Sequence, residues 1–237
     1  MIDLHCHLLP GVDDGASSIS ESLEMARIAV HEGIHTAVAT PHFHPGIYDN
    51  SIRSLQATFT EFTHALVKAN IPLKVRLAGE VRLTEQIINA LPASEIPMLG
   101  TYKGNDVLLL ELPYSHIPPG TENLLQWLNR RGVIPMIAHP ERNREIMQNV
   151  NAISRLTKGA VLFQLTIGSF AGSFGVKAYE TAIALAKKGH LDVLSTDAHN
   201  LKRRPPLTKV GLSEVRKWIG DERTHSAIEE LPRAIIS

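Results

Sequence analysis

The chain has almost no cysteine. Cys6 is the only one in 237 residues, which excludes an internal disulfide framework and points to a reducing compartment. Net charge is also lacking: 24 Lys and Arg balance 24 Asp and Glu. A zero balance with no basic stripe argues against a nucleic-acid surface and against attraction to anionic membranes. No apolar run is long enough to cross a bilayer, and no basic leader precedes Ile2-Asp3-Leu4. These absences predict a cytoplasmic protein with no membrane insertion. Low-complexity tracts, short repeats and linkers are missing too. The length and the 43% hydrophobic content therefore predict one domain over residues 1–237. What the chain does have is histidine, 12 in all, and histidine is the commonest metal ligand.

Apolar strand-like runs alternate with helical stripes. Strands are predicted at 1–6, 35–40, 73–80, 106–112, 133–139, 160–167 and 192–197. Between them lie amphipathic patterns such as Ile19/Leu23/Ala26/Val30, Ile52/Leu55/Phe59/Phe62/Leu66, Leu124/Leu125/Leu128 and Val176/Tyr179/Ile183/Ala186. Ser18 and Glu21 have capping-box spacing, and a last helix pair is predicted at 208–219 and 221–230. Residues 41–50 and 167–175 read as long loops. Repeated strand–helix alternation predicts an α/β fold with a parallel sheet, open or closed into a barrel. The strands are continuously apolar, as expected when both faces are buried.

Ligand-type residues stand at the same end of nearly every strand. The first run carries His5 and His7, whose side chains share a face while Cys6 points away. The second leads to His42, the third to Glu80, the fourth to Glu111 and the fifth to His139. The seventh ends at Asp197, with His199 just beyond. In parallel α/β barrels the C-terminal strand ends build the active site. Asp13 and Asp14 follow the first strand, and either can reach that end. With Asp14 the set is His5, His7, Asp14, His42, Glu80, Glu111, His139, Asp197 and His199. Nine ligands exceed the needs of one ion and suit two or three. Three divalent ions carry about +6 against roughly −4 from four carboxylates, which attracts a phosphate dianion. Arg142, and Arg203 or Arg204, add guanidinium forks matched to phosphate oxygens.

His5-Cys6-His7, Pro10-Gly11-Val12-Asp13-Asp14-Gly15, Ala138-His139-Pro140-Glu141-Arg142 and Asp197-Ala198-His199-Asn200 resemble the polymerase-and-histidinol-phosphatase (PHP) superfamily. More closely, the chain is similar to its bacterial manganese-dependent protein tyrosine phosphatases of capsule and exopolysaccharide type. The resemblance runs from residue 1 to about residue 215. It implies a distorted seven-stranded (β/α)7 TIM-like barrel with the metal site at the C-terminal strand ends. It implies Mn2+, with Fe, Co or Zn as alternatives. His5, His7 and Asp197 would serve one ion, with Glu80 bridging to a second held by Glu111 and His139. Asp14, His42 and His199 would serve the third. Arg142 and Arg204 match the phosphate-contacting arginines. The implied reaction is hydrolysis of phosphotyrosine by a metal-bridging hydroxide. The implied partner is the tyrosine-rich tail of a bacterial tyrosine autokinase that controls polysaccharide synthesis. The chain departs from streptococcal-type members just after His42, where Phe43-His44 replace basic residues.

Rival readings share parts of this pattern. A small-molecule phosphoesterase, such as a histidinol-phosphate phosphatase, would use the same metals and differ in its loops. A nuclease is disfavoured by the zero charge. An amidohydrolase would need a lysine at a strand end where Glu80 and Glu111 stand. A catalytically dead binding module would not need the complete ligand set. A cysteine-dependent phosphatase needs Cys-x5-Arg, yet Val12 stands at that position, so Cys6 is expected to be a buried packing residue.

Overall fold

A computed structural model describes residues 1–90 and 96–237. Among the described residues are ten strands: β1 Ile2–Cys6, β2 Thr36–Ala39, β3 His42–Phe43, β4 Lys74–Leu77, β5 Glu80–Arg82, β6 Gly100–Tyr102, β7 Asn105–Glu111, β8 Val133–Ala138, β9 Leu162–Thr166 and β10 Val193–Ser195. The helices are α1 Ile19–His31, α2 Ile52–Lys68, α3 Ile87–Ala90, α4 Thr121–Asn129, α5 Arg144–Gln148, α6 Ile167–Phe170, α7 Val176–Lys187, α8 Lys209–His225 and α9 Leu231–Ile236. Among the described residues no helix is long and apolar enough to cross a membrane.

The result is an α/β fold of parallel sheets. One sheet has the order β1-β2-β4, and the other runs β10-β9-β8-β7-β5-β3, with β6 added antiparallel to β7. The predicted strand 73–80 is divided between the sheets as β4 and β5, while 35–40 forms β2 alone and β3 follows it in the other sheet. Residues 36–43 break at Pro41, which has no N–H to donate; its carbonyl accepts Glu80 N at 3.1 Å. Residues 74–82 break at Gly79, where a Cβ would lie 2.4 Å from Pro97 Cγ. On the other side β1 meets the segment after β10: Asp197 N donates to His5 O, and His7 N to Ala198 O, both at 2.8 Å.

Three apolar clusters hold these layers. Alternation along β7 sends Leu108 and Leu110 toward α4, α7 and α8, while Val107 and Leu109 join Ile2, Leu4, Val38 and Met136 between the strands. Ile235 and Ile236 of α9 close that inner cluster. Cys6, Ala37 and Ala39 pack against Met25 and Ala29 of α1 and Leu55, Phe62 and Leu66 of α2. Each such fully buried side chain of Leu, Ile or Phe size stabilises by about 1.5–3 kcal/mol.

Several expectations are corrected. The 167–175 loop begins with a helical turn, α6, and 42–43 form a short strand. Helices at 208–219 and 221–230 merge across a kink at Gly220 (φ 79°). On α7 the buried stripe is Ala178, Thr181, Ala182, Leu185 and Ala186. Val176, predicted inside, is 70% exposed. At α1 the capping box is half made: Ser18 accepts Glu21 N, but the Glu21 carboxylate turns to Ser17 N and Oγ.

Candidate metal centre

β1 delivers the first two imidazoles, and its pairing with β2 slips between Asp3 and Cys6. Bulges of this kind re-aim side chains beside active sites. Beyond the slip His5 Nε2 and His7 Nε2 face each other at 3.4 Å. Glu80 Oε2 lies 3.2 Å from His5 Nε2 and 3.3 Å from His7 Nε2; Asp197 Oδ1 lies 3.2 and 3.4 Å from the same atoms. All four side chains are buried. Ligand atoms at ~2.1 Å from one ion stand ~3.4 Å apart in a tetrahedron, so these separations fit a divalent ion.

Two further groups of donor atoms adjoin. His7, Asp14, His42 and His199 converge, as do His42, Glu80 and Glu111. His42 Nε2 is 3.2 Å from Asp14 Oδ1, and its Nδ1 is 3.1 Å from Glu80 Oε2. His139 reaches the cluster through Glu80, with Nε2 at 2.8 Å from Oε1. The third grouping thus gathers His42, rather than His139, with Glu80 and Glu111. Cys6 faces away as expected. Its thiol donates to Val38 O at 3.3 Å, and burial pushes its pKa well up.

Backbone conformation sets two of the strand ends. His139 (φ 33°) and Asp197 (φ 51°) both occupy the left-handed region. Such residues are uncommon and concentrate at functional sites. Here each turn drops a ligand-type side chain into the cluster immediately after β8 or β10.

Outer groups fix the tautomers. His5 Nδ1 donates to Gln164 Oε1 at 2.8 Å, His7 Nδ1 to Asp13 Oδ2 at 2.7 Å, and His199 Nδ1 to Asp197 O at 2.9 Å. With Nδ1 protonated, each Nε2 presents a lone pair inward. Asp13 therefore orients His7, while Asp14 faces the cluster. Sequence reasoning passed over Gln164, although a glutamine inside the apolar run Val161-Leu162-Phe163-Gln164-Leu165 is itself a signal. It also passed over Arg82, which pairs with Glu111 at 2.8 Å from the facing register position.

Electrostatics keep Glu80 and Asp197 ionised. Burial pushes Glu80 up, yet the charges and hydrogen bonds of His5, His139 and His42 hold its carboxyl well below the usual range. Asp197 behaves likewise beside Arg142, His5 and Arg204. Burial and the Arg142 charge push His139 down to about 3, which keeps that ring neutral. Burial opposes protonation of His42, but Asp14 and Glu80 raise it to about 10. Glu111 is raised by burial and by the Glu80 charge. Burial also opposes protonation of His5 and His7, but the surrounding carboxylates raise both, so a divalent ion, which requires deprotonated ligands, would displace protons from these imidazoles as it binds.

Polar satisfaction gives an independent test of fit. Glu80 Oε2, Asp197 Oδ1 and His199 Nε2 are buried with no hydrogen-bond partner. Buried orphans are rare in folded proteins. All three belong to these donor groups, Glu80 and Asp197 to one and His199 to its neighbour, and divalent ions in the two groups would satisfy them. The residues present fit the ions.

Two guanidiniums stand beside the metal groups. Arg142 Nη2 is 2.5 Å from Asp197 Oδ2, and Arg204 Nη2 bonds the same oxygen. Both arginines line a cavity of about 240 Å³ together with Glu111, His139, Tyr114 and Phe174. Arg203 lies outside that cavity. His44 and His116 stay outside the donor groups: His44 N bonds Tyr48 O, and His116 Nδ1 meets Ser115 Oγ on the surface.

Comparison with known proteins agrees with this geometry. The capsular polysaccharide synthesis CpsB/CapC family matches residues 1–237. Over 229 residues the chain is 37% identical to the tyrosine-protein phosphatase YwqE of Bacillus subtilis, covering 97% of this chain and 89% of that one. It is 26% identical to the tyrosine-protein phosphatase CpsB of Streptococcus pneumoniae, covering 100% and 98%. A solved structure, from work on YwqE and CpsB as unique metal-dependent tyrosine phosphatases, superposes with a TM-score of 0.93. It is 36% identical and covers 100% of this chain and 94% of that one. Matched along its whole length in sequence and in fold, the chain belongs to the CpsB/CapC capsular polysaccharide synthesis family.

Proposed function

We propose that this protein is a metal-dependent tyrosine phosphatase that hydrolyses phosphotyrosine in proteins. The observation that carries the reading is that two arginine forks lining one cavity both bond Asp197 Oδ2, while the other oxygen of that carboxylate is a buried, unpartnered ligand atom. Named relatives with the same activity support it. His5, His7, Glu80 and Asp197 would hold one ion; Asp14, His42 and His199 a second; Glu80 and Glu111, with His42 or His139, a third. When bound, the ions supply an activated water and positive charge for the phosphoryl oxygens. Mn2+ is our choice, because mixed imidazole and carboxylate ligands suit it.

The chain's own residues do the rest. Arg142 and Arg204 already converge on a single carboxylate oxygen, Asp197 Oδ2. The same forks would cradle equatorial phosphoryl oxygens and hold the charge that develops in transfer. Asp13, Gln164 and the Asp197 carbonyl keep the imidazoles turned inward. Tyrosinate is a fair leaving group, since phenol has a pKa near ~10, so little acid assistance is required. A cavity of about 240 Å³ lies below the usual ~300–1,000 Å³ of small-molecule sites. That size suits one side chain presented on a longer chain.

Seven successive strand positions close into one barrel and one domain, supported by the β1–β10 hydrogen bonds and the β2/β3 and β4/β5 seams. A tyrosine autokinase of the capsule apparatus is the proposed substrate, supported by the family's role. A cytoplasmic location is consistent with the single buried thiol. The test is side-by-side phosphate release from a phosphotyrosine peptide and from histidinol phosphate, with and without added manganese. Metal-dependent release from the peptide is expected. Release from histidinol phosphate alone would assign the site to a small-molecule phosphoesterase.

A further inference from the structure

A second chamber lies beside the cavity that holds Arg142, and the proposed reaction leaves it without a task. It encloses about 270 Å³ between the α6–α7 turn and the segment leading into α8. Phe174 and Arg204 line both spaces. The Phe174 ring lies 4.6 Å from the Arg142 guanidinium and 5.8 Å from that of Arg204. It is a partition with the Arg142 fork on the first side only, while the Arg204 fork borders both spaces.

The walls of that chamber combine apolar side chains with the polar Ser173 and Thr196 and the Arg204 guanidinium. Ala171, Phe174, Leu207 and Val210 face it, and Arg203 stands at its rim. Leu207 is 55% and Val210 68% exposed. Val210 also lines an adjoining hollow with the exposed Val176, which extends the apolar surface beyond the chamber. Apolar surface of this kind at the edge of an active site marks something that docks there.

We propose that this chamber is a subsite for a bulky apolar side chain, aromatic for preference, that neighbours the phosphotyrosine in an extended substrate segment. The proposal rests on the phosphotyrosine-protein reading above. An extended chain advances ~3.3 Å per residue, so a neighbour one or two positions away reaches past a partition one ring thick. Arg203 adds a flat cation for an aromatic face. A small phosphorylated metabolite would fill the first cavity and leave the second unused, so the pair of chambers selects a peptide.

The experiment uses the full chain loaded with manganese. Substrates are p-nitrophenyl phosphate and phosphotyrosine peptides with Phe or Gly at each of the two positions on either side of the phosphotyrosine. The wild type is expected to favour Phe in kcat/KM by about tenfold at one position or more, and the Leu207→Ser/Val210→Ser variant by about twofold or less. The change falls on KM, and p-nitrophenyl phosphate turnover is unaltered. Absence of any preference in the wild type, or its survival in the variant, overturns the subsite. If light scattering shows that the variant loses self-association instead, the patch belongs to a second copy of the chain and the proposal is wrong. No release from any phosphotyrosine peptide or from p-nitrophenyl phosphate sinks the phosphatase reading and the subsite with it, a result distinct from loss of preference alone.

Discussion

Asp13→Asn would test the orienting role of a residue that touches no reacting group. The Asp13 side chain is fully buried. Oδ2 accepts His7 Nδ1 at 2.7 Å and His42 N at 3.0 Å, and Oδ1 accepts Gly15 N at 2.9 Å. Asparagine keeps the shape but must turn an NH2 toward one of these donors, so two donors face each other. It also removes the charge that favours the His7 Nδ1–H tautomer. Groups of this kind set metal affinity by about 10–100-fold. A manganese titration by calorimetry should show the dissociation constant rising by about that factor. Turnover should recover to within about tenfold of wild type at saturating manganese, because every direct ligand remains. Losing charge-assisted hydrogen bonds costs about 2 kcal/mol, which lowers Tm by ~4–8 °C in a domain of this size. Wild-type manganese affinity in a folded Asp13→Asn variant would refute the claim that Asp13 orients His7.

Two other outcomes are expected. Cys6→Ala should keep kcat within about twofold of wild type while lowering stability by about 1 kcal/mol, since it leaves only a small void in the α1–α2 cluster; loss of activity in a folded protein would restore the thiol as a nucleophile. Glu32 ties the start of α8 to the end of α1 through Thr208 N at 2.9 Å and Lys209 N at 3.1 Å. Burial pushes its pKa up, but those bonds and Lys209 bring it below the ordinary glutamate value. Its stabilisation is therefore present above the unfolded-state pKa and fades as pH falls through the lowered folded value. Glu32→Gln should cost about 1–2 kcal/mol at pH 7 by urea denaturation, and the gap should shrink toward pH 4; a gap that widens on acidification would contradict this sign.

Much of the site was legible because its chemistry sits at strand ends, where a one-dimensional pattern and a three-dimensional address coincide. His5, His7, His42, Glu80, Asp197 and His199 enter the donor groups directly. His139 was legible as a member, but its tie to Glu80 alone, with His42 taking the place beside Glu111, depends on the left-handed turn after β8. Spacing carries no information on that. Gln164 was hidden because a neutral amide is no ligand and draws no notice in a search for His, Asp and Glu. The choice between Asp13 and Asp14 needed the fold too, since adjacent carboxylates in a glycine-bounded loop are equivalent until their partners are known. The fold class followed from alternation. The breaks at Pro41 and Gly79 did not, because the close approach of Pro97 comes from a distant part of the chain. On α7 the apolar stripe was read one residue off, since small alanines rather than Val176 and Tyr179 fit against the neighbouring helices.

The left-handed turns at His139 and Asp197 couple two requirements that are usually separate. A residue there must offer a donor atom and must also tolerate positive φ. Asn, Asp and His are the non-glycine types that do so most readily, while other L-residues meet a penalty of ~1–2 kcal/mol. Re-tuning this site toward a softer metal by placing cysteine at position 139, or lengthening the acid at 197 to glutamate, would therefore meet resistance from the backbone before any coordination chemistry is tested. The ligand alphabet of the site is restricted by its turns as much as by its ions, and a redesign of the metal preference would have to begin by rebuilding the ends of β8 and β10.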